Sequence, residues 1–215
     1  GICVGTEKAF KIASKHNLAK IFFVNGLCDE DARFYRVFED LKASFGPSIC
    51  PVVVPFIVDG KANCYINMLE YKAYKYSDDG KVSEVTMPDM GNRLDGLRTA
   101  IYEAVAETSD EMFEKYFSGE AFTPDEIILG IRQGVKSGKI SPVFCGDAQT
   151  TFGVDQLLSG LTWLSPSALD NGSEIGIDVN GEMIELTPSA NAATAAIAVS
   201  YTHLRAHEPR HDLVC

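Results

Sequence analysis

Several features are scarce or missing in this sequence of 215 residues. No run of apolar residues approaches 18, so the sequence predicts a soluble, cytoplasmic protein with no membrane-spanning helix. Positive charge is in deficit, because 19 Lys and Arg stand against 30 Asp and Glu, a net charge of −11. This balance argues against a basic face for nucleic acid, and it is also typical of a surface that only keeps a protein in solution.

Paired cysteines are missing as well. No two cysteines form a CxxC pair, and several lie in apolar stretches, so the pattern favours reduced thiols over a disulfide framework or a zinc site. The hydrophobic content of 46% nevertheless predicts a folded, globular protein. The cysteines are Cys3, Cys28, Cys50, Cys64, Cys145 and Cys215.

Two stretches of the chain share one pattern, an apolar strand followed at once by a polar turn. The predicted strands are Ile21–Val24 and Ile140–Cys145. Ligands of open α/β sheets bind outside the carboxyl ends of the strands. If these two strands are neighbours, the loops at Asn25–Asp29 and Cys145–Ala148 therefore face one pocket.

The long segment between these strands has a pattern of its own. Residues 25–139 separate them, whereas an ordinary crossover needs little more than about a dozen residues. Alternating strands at 51–58, 63–68, 71–76 and 81–87, with a hairpin turn at Asp59-Gly60, predict a small antiparallel sheet. The residues beyond those that an ordinary crossover needs are therefore interpreted as an inserted α+β subdomain.

Apolar periodicity predicts the helices. They lie at 5–17, with Thr6 as N-cap, and at 29–45, 90–107, 109–118, 123–136 and 153–164. Thr123 to Glu126 forms a capping box with Pro124 at the first helical position. Residues 170–185 are acidic and rich in turn formers, which is typical of a linker, and 188–199 has the composition to begin a strand of a further domain.

Five segments carry a family resemblance. They are Val4–Lys8, the strand ending at Asn25, Phe34-Tyr35, Ala104–Tyr116 and Pro142–Gly146. In this order they resemble the bacterial translation elongation factor G family of translational GTPases, over residues 1 to about 199. The resemblance implies an α/β fold: the C-terminal half of a P-loop-type GTPase domain, with a mostly parallel sheet and an inserted α+β subdomain.

The resemblance also implies domain boundaries. Residues 1–46 are a partial GTPase domain, 47–138 the inserted subdomain, and 139–166 the last strand and helix of the GTPase domain. Residues 167–199 are a linker and the start of a second domain. Residues 200–215 are interpreted as a non-native tail that resembles translated adapter sequence, so the helix-like spacing of His203, His207 and His211 is not taken as a metal site.

No phosphate-binding loop of the form G-x-x-x-x-G-K-[ST] is present in the sequence. The family's ligand is GTP or GDP, and the Mg²⁺ that accompanies it is expected only in an intact parent protein. We therefore assign no catalytic and no metal-binding residue and expect this segment to be inactive as a GTPase on its own. Since Gly1 stands where Met would begin a protein, we expect the chain to begin within a longer one.

The guanine end of the pocket is represented but altered. The family's Asn-Lys-x-Asp motif corresponds to Asn25, Gly26, Leu27 and Cys28, with Asp29 one residue late. The family's second loop, Ser-Ala, corresponds to Asp147-Ala148. Ala148 is expected to offer its N–H to a base oxygen, and Asp147 to bring an unfavourable negative charge there. A guanine-binding carboxylate would contribute about 1.5–3 kcal/mol for each hydrogen bond.

Three functions stay open at this point. One is a fragment of a factor that binds GTP and promotes ribosomal translocation. Another is a degenerate relative that binds the ribosome or its stalk protein without recognising guanine, for which the acidic helix at 108–120 offers a face. The third is a small-molecule enzyme using the same crevice. The tyrosines at 65, 71, 74 and 76 are interpreted as sheet packing rather than an RNA platform, because no Arg accompanies them.

Overall fold

The computed structural model describes residues 2–29, 33–77, 79–170, 172–189, 191, 192 and 194. The chain divides into two compact units, residues 1–167 and 168–215. Both candidate loops belong to the first unit. The predicted tail at 200–215 and its histidines lie outside the described residues, as does Asp78 of one predicted turn.

Six α-helices and nine strands are found in the described part of the chain. The helices are α1 (Val4–Lys15), α2 (Phe34–Phe45), α3 (Asn92–Ala106), α4 (Asp110–Ser118), α5 (Pro124–Lys136) and α6 (Val154–Leu164). The strands are β1 (Phe22–Val24), β2 (Ile49–Pro51), β3 (Val53–Val58), β4 (Lys61–Asn67), β5 (Lys72–Tyr76), β6 (Val82–Val85), β7 (Ser141–Cys145), β8 (Glu174–Ile177) and β9 (Met183–Leu186).

A three-stranded parallel sheet holds the two predicted strands side by side. Its order is β1-β7-β2, and β7 is buried along its whole length because it is the central strand. Phe22 pairs with Val143 and Val24 with Cys145, so the carboxyl ends of β1 and β7 coincide. The condition set by the sequence, that the two apolar stretches be neighbours, is therefore met.

The four strands β3 to β6 form the antiparallel sheet that the sequence predicts, in chain order. At the first hairpin, Asp59 has φ 50° and Gly60 φ 79°, the two positive values that a type I′ turn needs. Pro55 lies in β3, an edge strand, where the ring removes no ladder hydrogen bond that the sheet requires.

The junction between the two sheets differs from the prediction. The apolar run from residue 49 is divided, because β2 pairs in parallel with β7 whereas β3 pairs antiparallel with β4. Buried Val52 lies between them: its N–H donates to Val143 O, and its carbonyl accepts from Met68 N, both at 2.9 Å. The parallel sheet thus extends beyond residue 46, and alternation alone did not reveal the change of partner.

Helix boundaries follow local chemistry. The capping box of α5 is confirmed, since Thr123 Oγ1 accepts from Glu126 N at 3.3 Å and Glu126 Oε2 accepts from Thr123 N at 2.7 Å. The predicted N-cap of α1 is wrong. That helix begins at Val4 after Cys3, and the Thr6 hydroxyl lies 3.2 Å from the Cys3 sulfur within the first turn.

The second unit contains a hairpin of β8 and β9, paired from Glu174 with Leu186 to Ile177 with Met183. The predicted linker at 170–185 therefore contains regular structure. Its turn formers belong to the hairpin loop, where Asp178 accepts backbone hydrogen bonds from Asn180 and Glu182. The described residues after 187 contain no strand, and the rest of the segment at 188–199 lies outside the described part.

Two kinds of feature are absent from the residues that the structure describes. No helix there is long and apolar enough to cross a membrane. No group of three or more His, Cys, Asp or Glu side chains is arranged there to hold a metal ion.

We expect Gly160→Ala to lower the free energy of unfolding by about 1–3 kcal/mol, because helix α6 packs directly on β7. A Cβ at Gly160 would lie 2.2 Å from the buried Phe144 ring. Gly96→Ala on α3 is the matched control, since nothing lies within 4 Å of its Cβ position. That change should leave stability unchanged or raise it by about 0.5–1 kcal/mol. Urea unfolding of both variants measures the difference, and equal effects would contradict this packing.

Candidate functional site

The two loops meet directly at the carboxyl ends of β1 and β7. The Gly146 amide donates to Val24 O at 3.1 Å, and the Leu27 amide donates to Gly146 O at 3.2 Å. Across the same gap, Ala148 N donates to Asn25 Oδ1 at 2.9 Å. The structure thus brings together the residues that the sequence singles out in both loops.

The first loop has a shape that depends on Gly26. This residue has φ 79°, and the Asp29 amide donates back to its carbonyl at 3.2 Å to close a turn. The Leu27 side chain is buried in the core and so anchors the loop. A Cβ at Gly26 would lie 3.0 Å from Asp29 Oδ2. Since a left-handed conformation costs other residues about 1–2 kcal/mol, this loop shape disfavours a Lys at the position.

Asp147 has a role that the sequence does not predict. Its side chain is buried, and Oδ1 accepts from the amides of Gln149 and Thr150, both at 2.9 Å, and from the Thr150 hydroxyl at 3.2 Å. Oδ2 accepts from the Cys28 amide at 3.3 Å, which links the second loop to the first. The expectation that this charge lies near a ligand base stays a prediction, whereas in the structure the carboxylate is directed at loop amides.

These bonds stabilise the charged form of Asp147. The Thr150 amide, followed by those of Cys28 and Gln149, lowers the pKa of the carboxyl although its burial acts in the opposite direction. Asp147 therefore acts as a brace that holds both loops, and its oxygens are occupied.

The groups left at the surface of the site are few. Cys28 is exposed, with its sulfur 3.5 Å from Thr150 Oγ1, and Asp29 is exposed one residue further along. The Ala148 N–H, expected to face a base oxygen, is already donated to Asn25. The Asn25 amide nitrogen has no partner within the described part of the chain, so it is a donor that a ligand can use.

Two glycines of the second loop were missed by sequence reasoning. A Cβ at Gly146 would lie 2.2 Å from Phe152 O, and one at Gly153 would lie 2.5 Å from Cys145 O. The Asp147 amide donates to Phe152 O at 2.8 Å across this close approach. The spacing of the glycines on either side of a polar loop is the sequence signal that marks it.

The antiparallel sheet supports the second loop from one side. The Tyr76 ring stacks on Phe152 at 5.2 Å and meets Tyr65 edge-on at 5.5 Å, and the Tyr76 hydroxyl donates to Asp155. Asn67 Nδ2 donates to Gln156 Oε1 at 3.0 Å. The Tyr65 hydroxyl is buried without a partner among the described residues. The interpretation of these tyrosines as packing residues holds for Tyr65 and Tyr76, the two that lie in this row.

The fold and the loop pair define a class of protein. It is a mixed α/β protein with a three-stranded parallel sheet, an antiparallel sheet and a polar site at the carboxyl ends of two parallel strands. No protein-family model matches the chain. The chain is homologous to part of elongation factor G.

The relatives that support this homology are much longer than the chain. Elongation factor G of Ureaplasma parvum serovar 3 is 33% identical over 203 residues, which are 92% of this chain and 29% of the relative. An elongation factor G-like protein of Thermotoga maritima is 33% identical over 191 residues, 85% of this chain and 27% of the relative. A crystal structure of a Thermus thermophilus protein matches with TM-score 0.71 and 27% identity, covering 86% of this chain and 29% of that one.

We expect Asp147→Asn to destabilise the protein by about 2–3 kcal/mol at neutral pH, because an amide cannot accept all four hydrogen bonds. Since folding lowers the pKa of Asp147, the charged side chain stabilises the fold above the pKa of the unfolded state. This contribution is lost as the pH falls through the lower pKa of the folded state. Urea unfolding across the acid range should therefore show the two proteins converging.

The control for this experiment is Glu39→Gln, which removes an exposed carboxylate on α2. Its effect should stay within about 0.5 kcal/mol. An Asp147→Asn protein as stable as this control would contradict the bracing role.

Proposed function

We propose that this chain is part of an elongation-factor-G-like translation factor, and that its two loops form the base-binding end of a GTP or GDP site. The homology to elongation factor G supports this, as does the position of the loops outside adjacent parallel strands. In this proposal the phosphate groups and Mg²⁺ are held by another part of the longer protein. GTP hydrolysis and ribosomal translocation are then activities of that whole protein.

The proposal keeps the domain arrangement inferred from the sequence. Residues 1–46 and 139–166 contribute to the nucleotide-binding domain, with Ile49–Pro51 added to its sheet by pairing with β7. Residues 47–138 then form the inserted subdomain apart from that strand, and 167–199 lead into a second domain. Residues 200–215 are proposed to be foreign to the gene.

We further propose that the site does not select guanine through a carboxylate. The observation that carries this is the occupation of both Asp147 oxygens by loop donors, with Cys28 where the family has its Asp. The exposed Asp29 carboxylate follows a turn that begins at Gly26 and is one position late. A ligand base would meet the Asn25 amide nitrogen and the Cys28 thiol, neither of which can accept two hydrogen bonds from guanine N1 and N2.

The test is a competition experiment on the full-length protein that carries this segment. We expect GDP, ADP and xanthosine diphosphate to displace fluorescent GDP with affinities within about tenfold of one another, since a lost pair of charge-assisted bonds removes most discrimination. A Cys28→Asp variant, which restores the carboxylate and leaves Gly26 in its left-handed conformation, should regain a preference for GDP. A preference above about a hundredfold for GDP in the unaltered protein would contradict the proposal.

A second role is favoured by the surface of α4. Phe113 and Phe117 are 50% and 70% exposed, with their rings 4.5 Å apart, on a helix that begins with Asp110 and Glu111. Exposed apolar patches rimmed by polar residues mark protein interaction sites, and aromatic residues are enriched in interfaces. We propose that this face binds the ribosomal stalk protein, the partner that the family resemblance implies.

For this face, we expect Phe117→Ser to weaken binding of purified bacterial stalk protein to the chain by about tenfold or more, because a large apolar contact is lost. Leu158→Ser on α6 is the matched control, since Leu158 is a comparably exposed side chain at 58% on another helix. Isothermal titration calorimetry measures the affinity of both variants for the stalk protein. Equal affinities of the two variants would show that the stalk protein does not bind this face of α4.

A further inference from the structure

A groove with a volume of about 350 Å³ lies between the β4–β5 turn, α3 and the start of α5. Its floor is apolar and buried, formed by Met68, Ile101 and Phe122. Tyr71 and Tyr102 form its rim. The volume lies within the range of about 300–1,000 Å³ that is usual for ligand pockets, and the groove shares no residue with the loop site.

Arg98 is the one charged residue that lines this groove. Its guanidinium lies 6.0 Å from the centre of the Tyr71 ring and 5.7 Å from that of Tyr102, and it donates to the Tyr102 hydroxyl at 3.1 Å. No carboxylate in the described part of the chain lies within 4.0 Å of it. Asp95, one turn earlier on α3, interacts with it only at longer range.

The Arg98 guanidinium is therefore preorganised to bind an anion. It presents five N–H donors in a planar fork that matches a carboxylate, and one of its bonds is already made to Tyr102. The two aromatic rings restrict the side chain, so less rotamer entropy is lost when a ligand binds.

The rim residue Tyr71 has an unusual backbone. Its φ is 55°, a left-handed conformation that is uncommon for a bulky side chain, and the side chain is half exposed. The turn before it is held by Asn67 Oδ1, which accepts from the Leu69 and Glu70 amides. Strained residues of this kind concentrate at ligand sites, and here the strained residue is the one that places an aromatic ring over Arg98.

We propose that this groove binds a short peptide segment of a partner protein in which an aromatic or aliphatic side chain lies next to a carboxylate. The apolar floor takes the side chain, and Arg98 takes the carboxylate as a charge-assisted pair. Charge separates this surface from the face of α4: the groove presents a cation, whereas α4 begins with carboxylates. The proposal does not depend on whether the loops bind a nucleotide.

The observations favour a peptide over RNA. A tyrosine and an arginine can stack and pair with a single-stranded nucleic acid. However, the chain carries a net charge of −11, and Arg98 is the one cation of the groove, so a polyanion would meet overall repulsion. One carboxylate on an otherwise apolar segment avoids that repulsion, because surface charges farther than about 8 Å away are screened at physiological salt.

The test uses an acetylated, amidated pentapeptide with one carboxylate, Ala-Ala-Phe-Asp-Ala, and its Asn-for-Asp counterpart, titrated into the ¹⁵N- and methyl-labelled chain. We expect saturable shifts at Met68 and Ile101 with the acidic peptide and binding at least about tenfold weaker with the neutral one. Arg98→Gln should reduce affinity for the acidic peptide by a similar factor. Arg132→Gln, an exposed arginine on α5, should leave it unchanged.

A second variant separates loss of binding from loss of folding. Tyr71→Gly relieves the left-handed strain, so its melting temperature should be equal to or above that of the unaltered chain while its peptide affinity falls. Equal binding of the acidic and neutral peptides would overturn the proposal. Tighter binding of a single-stranded RNA pentamer than of the acidic peptide, with shifts at the same residues, would also overturn it.

Discussion

The in-register parallel pairing of β1 with β7 is the constraint on which the rest of the structure depends. These strands are separated by more than a hundred residues of chain, yet Val24 and Cys145 end at the same level of the sheet. Because both strands end together, the two polar loops that follow are forced to share their hydrogen-bonding groups. The Gly146 and Leu27 amides and the Asn25 side chain all cross from one loop to the other. The polar groups available to a ligand at this site are those that these internal hydrogen bonds leave unpaired.

Within that pair of loops, the negative charge has a structural role. Asp147 is buried and receives four hydrogen bonds, so its negative charge is stabilised by backbone amides of both loops and by the Thr150 hydroxyl. Cys28, which donates one of those amides, has a thiol at the exposed end. Homology to elongation factor G is compatible with either a guanine-selective or an unselective relative. We propose the unselective one because Cys28 stands in place of the family's carboxylate and the Asp147 oxygens are engaged within the loops.

The antiparallel sheet is physically continuous with this site. Val52 donates to one sheet and accepts from the other, and Tyr76 and Asn67 contact the end of the second loop and the start of α6. Asn67 also holds the β4–β5 turn that forms the rim of the groove around Arg98. The β4–β5 turn beside the groove and the start of α6 beside the second loop are therefore both bonded to Asn67. This arrangement makes the Asn67–Gln156 pair a natural point at which to ask whether the two are coupled.

The sequence by itself determined the elements whose signals are local. The capping box at Thr123, the turn at Asp59-Gly60 and the apolar periodicity of the helices depend on residues a few positions apart, and the predicted helices and antiparallel strands are found close to the expected places. It also identified both loops and the family to which they are related. Only the tertiary structure decided which sheet Ile49–Pro51 joins, that residues 174–186 form a hairpin, which way Asp147 points, and that Arg98 lies near both Tyr71 and Tyr102. The reason is that a strand's partner and a side chain's direction depend on contacts between residues far apart in the chain, which composition and spacing do not record.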